Sequence, residues 1–181
     1  VSSIVRRTLG DTLQAYYTFS QERLFRPLSI GTATIEAERS GNFIGSSYLY
    51  ASARDWGRLG QFMLQDGVWD GQRLLPEGWV TYLITPTPTT DGNEYGAHVW
   101  LNRNPDDPER DRLFPSLPED KYYLGGYQGQ LVVVIPSEQL IITRFGFTPA
   151  RNHGVEALTA AVIERLRAAA ETAPVPLAPS E

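Results

Sequence analysis

No cysteine occurs in the 181 residues, which excludes disulfides and thiolate metal sites and leaves thiols silent on the redox compartment. Histidine occurs only at His98 and His153, which are not spaced as a metal-binding pair, and lysine only at Lys121. No apolar run approaches the roughly 20 residues a membrane helix needs, and no charged segment followed by an apolar one opens the chain. A soluble chain with no membrane partner is expected. The 16 Lys plus Arg against 21 Asp plus Glu give a net charge of -5, so no general attraction to nucleic acid is expected either. Nucleophile signatures are missing too. Three places before the only lysine stands Pro118, so there is no Ser-x-x-Lys, and Ser47 has Gly45 before it but Leu49 after it, so there is no Gly-x-Ser-x-Gly elbow. A hydrolase triad contained within this chain is not expected.

What is present suits one ordinary domain, long enough to bury a core without staples. Val1, Ile4, Val5 and Leu9 share one helical face from the first residue, as though the chain were entered partway through an element. A second helix is expected with Asp11 as N-cap, running through "TLQAYYTFSQERLF" and ending before Pro27, followed by loop over residues 28–50. Ser52 and Asp55 resemble a capping box, and Trp56, Leu59, Gly60, Met63 and Leu64 follow at helical spacing, which predicts a helix from about Ser52 to Gln65. "DGVWDGQRLLPEGW" is a turn-rich connector, with Pro76 suited to the first position of a short helix.

Three strands are predicted next: Tyr95 to Leu101, "YYLGG" leading into "GQLVVVIP", and "QLIITRFG", the last two joined through Pro136-Ser137-Glu138-Gln139. Residues 102–120, rich in Pro, Asp and Arg, read as an excursion over the sheet edge or a site lip. Val155, Leu158, Val162 and Leu166 mark one stripe of a closing helix, and residues 171–181 read as a disordered tail. The fold class is therefore α/β of the α+β type, an antiparallel sheet flanked by helices. Trp56, Trp79 and Trp100 are expected in the core and Trp69 in a turn; Tyr122 and Tyr123 alternate faces, so only one can line a cleft. His98 is expected as a packed or edge residue of its strand and His153 as local to a helix start. Ser40-Gly41-Asn42 imitates a Ser-x-Asn box, but with no Ser-x-x-Lys ahead of it a polar glycine turn is the simpler reading.

The glycines of "LGGYQGQ" are either a bulge at a strand start or a place of close backbone approach to a ligand. Here the order of segments matters more than any one motif. "SQERLFRPLSI", "ARDWGRLGQFML", "YGAHVW" and "GYQGQLVVVIPS", over about residues 1–170, together resemble the C-terminal half of the serine β-lactamase-related proteins. These are the class C-like penicillin-binding esterases and amidases, including relatives of aminohexanoate oligomer hydrolase. The resemblance implies a β-lactamase/transpeptidase-like fold present as its C-terminal portion, and an acyl-enzyme hydrolase of esters or simple amides. Its Ser-x-x-Lys and Tyr-x-Asn boxes would come from a missing N-terminal part of the same protein; no tyrosine here has Asn two places on. It implies no metal and no organic cofactor.

In that resemblance Leu124-Gly125-Gly126 stand where a third box, Lys or His, a small residue, then Gly, would lie. Tyr127 follows where a backbone N–H helps form the oxyanion hole. Leu124 can neither pair with a carboxylate nor move a proton, which argues for ester or simple amide substrates. Gln130 either bonds substrate or ties the bulge. Arg151 and Asn152 fall where relatives contact a substrate carboxylate, a solvated helix cap being the alternative. A non-catalytic interaction module derived from the same fold is the other reading of the whole chain.

Overall fold

The computed structural model describes residues 1–88, 94–102, 114–148 and 154–172. Helix α1 spans Ser2–Thr8 and α2 spans Leu13–Ser20, with a wider π-type turn over Gln21–Phe25 that ends before Pro27, as expected. Thr12, not Asp11, caps α2: the Thr12 hydroxyl accepts the Ala15 N–H at 3.1 Å. Asp11 adopts a left-handed backbone and pairs instead with Arg6 at 2.9 Å. Residues 28–50, expected as loop, contain a ribbon in which β1 (Thr34–Ile35) pairs antiparallel with β2 (Leu49–Tyr50) and Ala37 bridges Phe43. The ribbon is held from outside its own sequence. Phe43 stacks on Tyr16 of α2, ring centroids 3.9 Å apart, and Tyr17 donates its hydroxyl to the Ile35 carbonyl at 2.5 Å.

Helix α3 covers Ala53–Leu64, within a residue of the predicted ends, and Ser52 caps it by accepting the Asp55 N–H at 3.2 Å. The reciprocal half of a capping box is absent. Ser52 N–H goes to the Thr32 hydroxyl at 2.8 Å, and that hydroxyl donates on to the buried Asp55 carboxylate at 2.6 Å. Thr32 N–H, at 2.9 Å, and Arg58 complete the shell of Asp55. The Thr32 hydroxyl is the chief reason the Asp55 carboxyl is held below its usual range, against the opposing effect of burial.

A tight hairpin follows, β3 (Val68–Trp69) with β4 (Gln72–Arg73), across the left-handed pair Asp70-Gly71, and α4 (Trp79–Leu83) starts after Gly78 rather than at Pro76. The single strand predicted over 95–101 doubles back on itself. Gly96 N–H bonds the Val99 carbonyl at 2.8 Å, His98 is left-handed and exposed, Tyr95 bridges Trp100, and only β5 (Trp100–Leu101) joins the sheet. A Cβ on Gly96 would overlap the Leu83 carbonyl, so this turn is pressed against the end of α4.

The main sheet is antiparallel in the order β5, β6 (Tyr122–Gly125), β7 (Leu131–Ile135), β8 (Leu140–Arg144). All five β7 residues are buried, because α3 covers one face and α5 (Val155–Thr172) the other. α3 can come this close only through a glycine: a Cβ at Gly60 would lie 2.9 Å from both Ile141 and Val132. α5 turns Val155 inward as expected, but with Thr159 and Ile163 in place of Leu158, Val162 and Leu166; Leu158 and Leu166 are exposed. The helix also carries two residues into the segment read as tail. No tryptophan is fully buried, and Trp79 and Trp100 stand at the surface, contrary to expectation, because α4 and β5 lie at the margins of the core.

Gly60 and Gly57, one turn apart, should answer differently to substitution. A Cβ at Gly57 meets only Thr143 Oγ1 at an ordinary 3.5 Å. Gly57→Ala should hold or raise stability through helix propensity, whereas Gly60→Ala should lose about 1–3 kcal/mol through overpacking, both read from urea midpoints. A Gly60→Ala chain as stable as wild type would contradict the packing described.

Candidate active site

β5 pairs only with Tyr122 and Tyr123, so beyond them the outer edge of β6, at Leu124 and Gly125, has no partner strand among the described residues. The two glycines there serve close approach and not left-handed geometry. A Cβ on Gly125 would press on the rings of Trp100 and Tyr123 at 3.2–3.3 Å, and one on Gly126 would sit 2.9 Å from Gln130 Cβ. Gly126 N–H closes the end of the ribbon on the Gln130 carbonyl at 2.7 Å. The left-handed residues are the next ones, Gln128 (φ 58°, ψ 33°) and Gly129 (φ 88°), inside the short 3-10 turn Tyr127–Gly129.

Tyr127 opens that turn with its side chain 81% exposed, and its N–H reaches no acceptor among the described residues. The rest of the turn is held from the end of β8. Thr148 N–H bonds the Gln128 carbonyl at 2.9 Å, and Arg144 donates to the Gly129 carbonyl at 2.7 Å, to the Gly146 carbonyl at 3.2 Å and to the Thr148 hydroxyl. Gln130 adds its side-chain amide, donating to the Gly146 carbonyl at 2.7 Å and accepting the Gly146 N–H at 3.1 Å. Of the two roles open to Gln130, tying the turn is the one its contacts serve.

Leu124 packs, partly buried, on the α3-side cluster of Met63, Tyr122 and Val134. Tyr122 belongs to that cluster and Tyr123 to the α5-side one, both buried, so neither lines an open cleft. Arg151 and Asn152, like His153, lie outside the described residues. Thus the structure brings Leu124, Gly125, Gly126, Tyr127 and Gln130 together at one sheet end. Sequence reasoning missed Arg144, Gln128 and Thr148. Arg144 did carry a signal, as the one charge in the run "LIITRFG".

At the other end of β6 the only lysine is 1% exposed. Lys121 Nζ has no hydrogen-bond partner among the described residues and rests over the rings of Phe114 (3.9 Å) and Tyr123 (4.7 Å). Asn102, which follows β5, fixes the segment above by donating to the Phe114 and Pro118 carbonyls at 3.3 and 3.2 Å. Burial pushes Lys121 down to about 7, the Glu156 carboxylate opposing it. Among the described residues no group of three or more His, Asp or Glu side chains could hold a metal ion. The turn offers main-chain donors and an open strand edge, and Tyr122 to Gln130 contains no Ser, Thr or Cys.

The helix-flanked antiparallel sheet is a β-lactamase-like fold. No family model matches the chain, and no curated protein is similar enough to count as a relative. Among solved structures, a protein provisionally assigned as a 6-aminohexanoate-dimer hydrolase of Bacillus anthracis matches 96% of this chain with a TM-score of 0.62 and 17% identity. Another, provisionally assigned as a β-lactamase of Bacteroides dorei DSM 17855, matches 80% with a TM-score of 0.52 and 13% identity. At such identities the likeness speaks for the fold alone. The chain spans 42% of the first protein's length and 50% of the second's.

Lys121 gives the site's supporting strand a pH dependence. The unfolded amine titrates near 10.5 and the folded one near 7, so between these values the unfolded chain binds more protons and stability rises with pH. Below about 7 both states are protonated and the slope vanishes. Urea midpoints should therefore increase from pH 7.5 to 9.5 in wild type and rise less in Lys121→Met; equal slopes in the two proteins would show that Lys121 is charged when folded.

Proposed function

We propose that this chain is the C-terminal part of a serine hydrolase that acts through an acyl-enzyme on esters or simple amides. The nucleophile Ser-x-x-Lys and the Tyr-x-Asn box come from an N-terminal portion of the same protein. The observation that carries the reading is the Tyr127 N–H, unpartnered among the described residues, at the end of a strand edge that is likewise open among them. The chain's coverage of no more than half of the two structural neighbours described above supports the need for a further portion.

In the complete site the serine Oγ attacks the substrate carbonyl. The developing oxyanion is held between the Tyr127 N–H and the N–H of that serine, and the alcohol or amine leaves with a proton delivered from the Lys and Tyr side chains. Water then attacks the acyl carbonyl, the same donors hold the second oxyanion, and the acid is released. The outer edge of Leu124 and Gly125, without a partner strand among the described residues, takes main-chain-like hydrogen bonds from the substrate in this scheme. Charge argues for neutral substrates: Leu124 is apolar, and the Arg144 guanidinium is engaged by two carbonyls and a hydroxyl. Arg151 and Asn152 stay candidates for a carboxylate contact on the resemblance alone. The second reading, an interaction module, is favoured by one observation: Val1 and Ile4 of the first helical stretch are 88% and 65% exposed. The N-terminal portion would cover them under the first reading as well.

Tyr127→Pro separates the two. Gly126 is extended (φ -112°, ψ 173°), a geometry that suits a following proline, and the lost N–H has no acceptor among the described residues, so the fold should survive. With the N-terminal portion restored, turnover of p-nitrophenyl butyrate should fall about 10²–10³-fold in Tyr127→Pro. Tyr127→Phe should stay close to wild type. A fully active Tyr127→Pro, or a restored protein that no fluorophosphonate labels, would contradict the hydrolase reading.

A further inference from the structure

We propose that Arg144 is the positioning residue of the oxyanion turn, holding the Tyr127 N–H in its aim before substrate arrives. The inference rests on the acyl-transfer reading above. Among the described residues Arg144 makes no ion pair, and its guanidinium is directed at the Gly129 and Gly146 carbonyls and the Thr148 hydroxyl. With Thr148 N–H on the Gln128 carbonyl, the two carbonyls immediately following Tyr127 are both fixed from the β8 side.

The turn requires holding. Gln128 has a side chain and yet occupies the left-handed region, which an unrestrained chain would leave. Gly146 is cut to fit the clamp: a Cβ there would lie 3.0 Å from the guanidinium carbon. Its φ lies outside the left-handed range, so the reason for glycine at this position is the room it leaves for Arg144. Gln130 donates to the same Gly146 carbonyl and also accepts the Gly146 N–H. A donor fixed in this way needs no reorganisation when charge develops, whereas a donor displaced by about 1 Å loses roughly 10²-fold in rate. Arg144 touches no reacting atom in this scheme. It acts through the turn, so its loss should lower kcat and leave KM nearly unchanged.

Two measurements test this. In the 181-residue chain, 15N order parameters of Tyr127, Gln128 and Gly129 should fall from about 0.85 to below about 0.6 in Arg144→Met, while those of Phe62 and Met63 in α3 stay as in wild type. In the protein with its N-terminal portion restored, kcat for p-nitrophenyl butyrate per phosphonate-titrated site should fall about tenfold or more, with KM within about twofold. Arg144→Lys, which replaces a fork by a single ammonium, should recover only part of the loss. Gly146→Ala leaves every donor in place but pushes the guanidinium, and should act in the same direction by less. Unchanged order parameters in Arg144→Met, or a loss spread equally into α3, overturn the proposal with the acyl-transfer reading intact. No turnover in the restored wild type overturns that reading, and the catalytic half of this proposal with it.

Discussion

Burying β7 on both faces is the constraint from which the rest of the structure follows. Its five residues, Leu131–Ile135, present no polar side chain, so each face needs an apolar cover and each edge needs a strand. β6 and β8 take the edges. On one face α3 approaches through Gly60, and on the other α5 sets Val155 and Ile163 against Leu131, Val133 and Ile135. The buried ionic groups, Asp55 and Lys121, stand where elements meet the ends of this layer and not within it. Asp55 is fully bonded through Thr32 and Arg58; Lys121 rests on two aromatic faces, with the Glu156 carboxylate acting on it.

The candidate site grows out of the point where β7's cover runs out. Past Gly125 the β6–β7 ladder ends, the chain must turn within Tyr127–Gly129, and the carbonyls of that turn lack a strand to receive them. Arg144, Thr148 and Gln130 supply the bonds that a longer ladder would have supplied. Among the described residues, the Tyr127 N–H is the donor left over from this arrangement. A main-chain donor on a turn held in this way, next to a strand edge with no partner among the described residues, is what the proposed acyl-transfer role asks of it.

Where local pattern and tertiary environment agreed, the sequence was legible. α3 carries its cap, its apolar spacing and its glycine within the thirteen residues Ser52–Leu64, and β6, β7 and β8 are bounded by glycines and by Pro136. The misreadings each trace to a partner distant in sequence. The 28–50 ribbon depends on Phe43 meeting Tyr16 and Tyr17, and the folding back of 95–101 depends on Gly96 meeting the end of α4. On α5 the buried position is Thr159, a polar residue, while Leu158 and Leu166 face out, so a stripe read from leucines selects a neighbouring face. At the candidate site, the glycines stand at close approaches to residues of the chain itself, Gly125 to Trp100 and Tyr123 and Gly126 to Gln130. The clamp went unread because its partners, Arg144 and Gly129, are fifteen residues apart.

The central claim is geometric: the Tyr127 N–H is aimed at the place where an acyl oxyanion forms. The most direct measurement is a crystal structure of the protein, N-terminal portion restored, after phosphonylation of its serine. The account predicts a phosphoryl oxygen about 2.7–3.1 Å from Tyr127 N, within reach also of the serine N–H. An adduct whose phosphoryl oxygens all lie beyond hydrogen-bonding distance of Tyr127 N would contradict it.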